Sequence, residues 1–239
     1  MSAELLSDLV AEQAALDALL SELDDTGWAR PTPAEGWSIT HTVTHLAVSE
    51  RAAHASLTDD RDPLQSSAPN RSPILSSSRE VLEEWRTARS DTLTAFAATS
   101  PSVRVPWGGR RMSARSLATA RLMETWAHGL DCFAALSATP RDTDRLRHIA
   151  WLGFRTLPYA FAVADERPPA PLDELRLELT SPSGGIWHLG REQAPSIIRG
   201  PAGDWCRLAT HRLRPPAQSE LRCEGALAQS STHVVRAFL

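Results

Sequence analysis

Apolar residues recur at helical spacing through the first two thirds of this 239-residue chain. In residues 3–23, Leu5, Leu9, Leu16, Leu20 and Leu23 fall on one side, supported by Leu6 and Leu19. They predict an amphipathic helix that Gly27 ends. Two prolines and a glycine make 30–36 a loop, flanked by Trp28 and Trp37, aromatics that anchor it to a core. Ser38 reads as an N-cap for a second helix over 39–57, with Ile39, Val43, Leu46, Ala53 and Leu57 as its main stripe. Residues 59–77 are rich in Asp, Pro and Ser and carry no period, which predicts a long exposed loop. Ser77 and Glu80 have capping-box spacing and open a third helix, with Val81, Trp85, Leu93 and Phe96 inward and Pro101 as its stop. Residues 103–109 read as a short extended connection. Ser113 then caps a fourth long helix that runs to about 136. A further helix is expected over 143–157, from Leu146, Ile149, Ala150 and Phe154, before Pro158 kinks or ends it.

Beyond the proline-rich linker at 166–171 the period changes to two. Leu175, Leu177 and Leu179 alternate with Arg176 and Glu178, as in a half-buried strand. Glycines at 184 and 185 turn the chain into a second strand over 186–190. Strands are also expected over 196–199 and 219–225, with one helix between them and a last short helix running to 239. The fold class is therefore α+β: a four-helix bundle over 1–166 and a small α/β domain over 167–239.

Composition sets limits on function. With 42% hydrophobic and 23% charged residues the chain is of ordinary globular type. A net charge of −4 gives no electrostatic case for nucleic acid or an anionic membrane as partner. All 25 basic residues are arginine, so no Schiff-base lysine is available. The three cysteines, Cys132, Cys206 and Cys223, form no Cys-x-x-Cys pair and suggest neither a disulfide framework nor a cysteine zinc site. The acidic N-terminus is no signal peptide, so a reducing bacterial cytosol is the expected compartment. A monomer and a homodimer are both compatible with the sequence.

Two segments carry candidate chemistry. On the fourth helix Glu124 and His128 lie one turn apart on one face, with Arg121 a turn before and Asp131 a turn after. A carboxylate and an imidazole at this spacing can share one divalent ion. By periodicity alone such a pair is more often a solvated polar face. On the second helix His45 avoids the main apolar stripe and shares a side with His41, Val48, Ala52 and Ser56, where no charge lies. That pattern places it in an interior or cleft.

The run Gly36-Trp-Ser, a helix closing on His45-Leu-Ala, and later Met123-Glu-Thr-Trp-Ala-His-Gly129 followed by Asp131 resemble the DinB-like metal-binding proteins, in particular the mycothiol-dependent maleylpyruvate isomerase type. The resemblance runs over nearly the whole chain. It implies a metal, usually zinc, on His45, Glu124 and His128, with mycothiol as the thiol cofactor. It also implies a sterol-carrier-like C-terminal domain that contributes an arginine to substrate binding. Arg207, Arg212, Arg214, Arg222 and Arg236 compete for that role, with Arg212 and Arg236 favoured. Nickel, iron or manganese would fit the same donors. His41, one turn from His45, is the rival ligand or a residue that orients one. Arg121 and Asp131 are candidates to hold a ligand or touch substrate.

The activity so implied is a metal-dependent transferase or isomerase acting with mycothiol on a small electrophile. Two other classes stay open: a thiol-independent metal hydrolase, lyase or cyclase acting on a small metabolite, and a non-catalytic metal or small-molecule binder.

Overall fold

A computed structural model of the chain describes residues 3–62, 77–213 and 219–237. Contacts within it cluster into two units, Met1–Pro140 and Arg141–Leu239. The first holds α1 (Ala3–Ser21), the short α2 (Asp25–Trp28), α3 (Ile39–Thr58), α4 (Ser78–Ala98), a hairpin of β1 (Arg104–Trp107) and β2 (Arg110–Ser113), and α5 (Ala114–Ala135). The four long helices are the expected bundle, and the α+β class holds for the whole chain.

The stripes read from the sequence become its core. Leu16, Leu20, Ile39, Val43, Val81 and Trp85 pack into one cluster. Each serine expected to cap does so. Ser38 Oγ accepts from His41 N–H, Ser77 Oγ from Glu80 N–H and Ser113 Oγ from Ser116 N–H. The central helix is α5, buried on almost every side. Its polar face is therefore an interior face, not a solvated one.

The first unit departs from the expected pattern in three places. α1 stops at Ser21, and Gly27 does not end it. Instead Asp24 caps α2, its carboxylate accepting from Gly27 N–H at 2.8 Å. The connection expected over 103–109 is the β1–β2 hairpin, paired Arg104 to Ser113 and Trp107 to Arg110. Gly108 and Gly109 turn it at φ 58° and 78°, a left-handed geometry that favours glycine, and their N–H groups both donate to the Asp62 carboxylate. The loop expected over 59–77 lies for the most part outside the described residues.

The second unit contains α6 (Leu146–Arg155), α7 (Leu157–Val163), β3 (Leu175–Thr180), β4 (Ile186–Gly190), β5 (Ser196–Pro201), α8 (Ala202–Ala209), β6 (Arg222–Glu224) and α9 (Ala226–Val234). The sheet order is β4-β3-β5-β6, with β3 and β5 parallel and the other pairs antiparallel. Leu175, Leu177 and Leu179 are fully buried, as their alternation requires.

The helix expected over 143–157 is two helices meeting at Thr156, because Pro158 suits a first turn and not an interior. These helices belong with the sheet, so the boundary between compact units falls at Pro140 rather than at the proline-rich linker after residue 166. The Trp205 indole donates to the Ala150 carbonyl at 3.1 Å, and that tryptophan is buried against Gly153. α9 stops at Val234 instead of running to 239, since the backbone extends and Ala237 N–H donates to the Ala209 carbonyl. No helix among the described residues is long and apolar enough to cross a membrane.

Candidate metal centre

His45 comes from the middle of α3, and Glu124 and His128 from successive turns of α5. Glu124 Oε2 stands 3.3 Å from His45 Nε2 and 3.4 Å from His128 Nε2. One donor atom from each of the three lies within 4.8 Å of the other two. Zinc bonds of roughly 2.1 Å at tetrahedral angles would separate their donor atoms by about 3.4 Å. The two edges from Glu124 fit that figure, and two imidazoles with one carboxylate are a donor set zinc accepts.

The protons argue the same way. His128 Nδ1 is 3.1 Å from Asp131 Oδ2. A carboxylate only accepts, so Nδ1–H donates to it, and in neutral His128 the Nε2 lone pair faces Glu124. A proton on Nε2, donated to Glu124, or a metal ion must then lie between the two atoms, since a lone pair and a carboxylate oxygen repel. Burial pushes the Glu124 carboxyl up, but hydrogen bonds with His128 and His45 and the nearby Arg121 charge outweigh it. They hold the group well below the usual carboxylate range. Side-chain exposure rises from 14% at His128 through 22% at Glu124 to 37% at His45. The cluster is therefore closed toward α5 and open beside His45, as a site that keeps a position for water or substrate must be.

Trp37 covers a further side. Its ring is tilted against His45 at 5.2 Å between centroids and stacks on His128 at 5.9 Å. The loop holds it there by backbone bonds. Trp37 N–H donates to Ala34, and the Trp37 carbonyl accepts from both the N–H and the hydroxyl of Thr32.

The profile of the family described as the mycothiol maleylpyruvate isomerase N-terminal domain matches residues 9–133. Uncharacterized proteins from two strains of Mycobacterium tuberculosis, H37Rv and CDC 1551, are 38% identical over 245 residues, covering 98% of this chain and 94% of theirs. The chain belongs to this family. Crystal structures of the mycothiol-dependent maleylpyruvate isomerase and of a histidine-to-alanine mutant superpose with TM-scores of 0.60 and 0.59 at 19% identity. They cover 92% and 88% of this chain, and 91% and 89% of their own. At that identity they show a shared fold.

The other residues singled out in the sequence fall into distinct places. Asp131 is buried and holds His128. Arg121 is buried with Nη2 3.8 Å from Glu124 Oε2. His41 lies at the exposed start of α3, where its Nδ1 accepts from the Ser38 N–H in the capping box, and it is outside the three-residue cluster. Arg212 and Arg236 belong to the second unit. There His211 is held below the usual histidine range by burial and then by both of their charges. Arg214 lies outside the described residues.

Sequence reasoning missed two features. Trp37 was read as a loop anchor, and nothing local shows that it reaches two histidines. Glu50 is buried on α3. It occupies a position of the Leu46–Ala53 stripe, and a charge on an apolar stripe is a signal that sequence alone could have given.

Proposed function

We propose that this chain is a metal-dependent isomerase or transferase that holds a divalent ion on His45, Glu124 and His128 and acts with mycothiol on a small electrophilic substrate. The observation that carries the reading is the triangle of donor atoms with edges of 3.3 and 3.4 Å from Glu124, in a chain of the mycothiol maleylpyruvate isomerase family. When bound, a zinc ion would lower the pKa of a thiol and let it act as a nucleophile near neutral pH.

The chain's own residues supply the rest. Asp131 fixes the proton on His128 Nδ1 and leaves Nε2 for the ion. Trp37 keeps water from one side of the histidines. The nucleophile is not one of this protein's cysteines. Burial and then the Asp131 charge push the Cys132 thiol up to about 12, and burial is the first cause that raises Cys206 and Cys223. A thiol mechanism therefore draws its sulfur from a cofactor, which supports mycothiol over a protein thiol.

The experiment is turnover of a panel of small electrophiles by metal-loaded protein, with and without mycothiol. Turnover that requires mycothiol supports the reading. Equal turnover after all low-molecular-weight thiol is removed assigns the chain to a hydrolase, lyase or cyclase instead.

A further inference from the structure

Each long helix of the bundle contributes a buried polar residue to the interior: Gln13 on α1, Glu50 on α3, Thr92 on α4 and Arg121 on α5. All four are buried, Glu50 to 1% and Arg121 to 2% exposure. Gln13 Nε2 donates to Glu50 Oε1 at 3.3 Å, and the Thr92 hydroxyl donates to the Glu50 carbonyl at 2.9 Å. Arg121 presents Nη2 to Glu124 Oε2, and its guanidinium lies over the Trp107 ring at 5.8 Å from the centroid. Its Nε and Nη1, and Oε2 of Glu50, make no hydrogen bond with any described residue.

A buried guanidinium so placed is held by charge more than by a fixed set of bonds. Its neighbours in charge are two carboxylates. One is Glu124 in the cluster. The other is Glu50, for which Arg121 is the largest influence favouring the ionised form. Burying unpaired charge is costly, and an apolar residue at 121 would pack the bundle at less cost. The cation therefore needs a reason to be there. Glu124 supplies one: a glutamate has three rotatable bonds, and a ligand set works only when its carboxylate is aimed.

We propose that Arg121 is a positioning residue for Glu124. Its guanidinium, set over the Trp107 ring, holds Oε2 toward the two imidazoles. The proposal rests on the metal reading above.

The test is cobalt(II) titration of the full chain at pH 8, read by chelator competition and by the visible absorption of the bound ion. Arg121→Met should weaken binding about tenfold and change the visible band, and Arg121→Lys should restore most of both. Should Arg121→Met fail to fold, Arg121→Gln carries the same test.

A merely structural role would lower the melting temperature of the metal-free protein and leave affinity and band unchanged, which overturns the proposal. So does tighter binding without the arginine, which would make it only a repelling charge. Wild-type protein that takes up no cobalt overturns the metal reading and this proposal together. Wild-type uptake with unchanged variants overturns this proposal alone.

Discussion

In the proposed metal site Asp131 sets the proton on His128 Nδ1 and so leaves Nε2 to face Glu124 and His45. Asn at this position still accepts from Nδ1–H but carries no charge. Asp131→Asn should therefore weaken metal binding about tenfold while the fold persists, measured by chelator competition. His41→Ala should leave metal content unchanged, since His41 works in the α3 cap. Glu50 gives a prediction of another kind. Burial drives its carboxyl up to about 7 from 4.5, against Arg121 on α5, Gln13 on α1, and Thr92 and Arg89 on α4, which all favour the ionised form. The folded state thus holds this proton more tightly than the unfolded chain. Its contribution to stability is present in full below about pH 4.5 and is lost as pH rises to about 7. Metal-free protein should lose on the order of 3 kcal/mol across that window, and Glu50→Gln should flatten the curve, as read by denaturant melts at stepped pH. At this scale the sequence showed Glu124, His128 and His45 through spacing and family resemblance. Glu50, Gln13 and Thr92 were visible only as polar interruptions of apolar stripes. Trp37 was not legible, because its contacts with His45 and His128 are tertiary.

Among the elements, those with a long period and a chemical cap were the legible ones. Ser38, Ser77 and Ser113 each sit where a helix opens, and each accepts from the backbone three residues on. Ser113→Ala should cost about 1 kcal/mol of stability, measured from urea midpoints, because it frees an N–H at the start of the central helix. The elements that were missed are short and depend on distant partners. α2 is a single turn closed by Asp24, too brief to show a period. The β1–β2 hairpin is tied at its tip by Asp62, more than forty residues earlier in the chain. Thr156 divides α6 from α7 with apolar spacing running through both, so only Pro158 marked the break.

At the scale of the whole molecule, the change of period after residue 171 pointed to a boundary one helix pair too late. Leu146, Ile149, Leu157 and Phe161 look like a continuation of the bundle, but they are buried in the unit that holds the sheet. A fragment ending at Pro140 should fold and take up metal. One ending at Pro168 should be less soluble, because α6 and α7 would expose those side chains. Circular dichroism and metal analysis of the two fragments check this. The central claim is that His45, Glu124 and His128 hold a divalent ion, and its most direct test is elemental analysis of the purified full-length protein beside His45→Ala and His128→Ala. About one ion per chain is expected in the wild type and close to none in either variant, with helical content intact. Full metal content in both variants would contradict it.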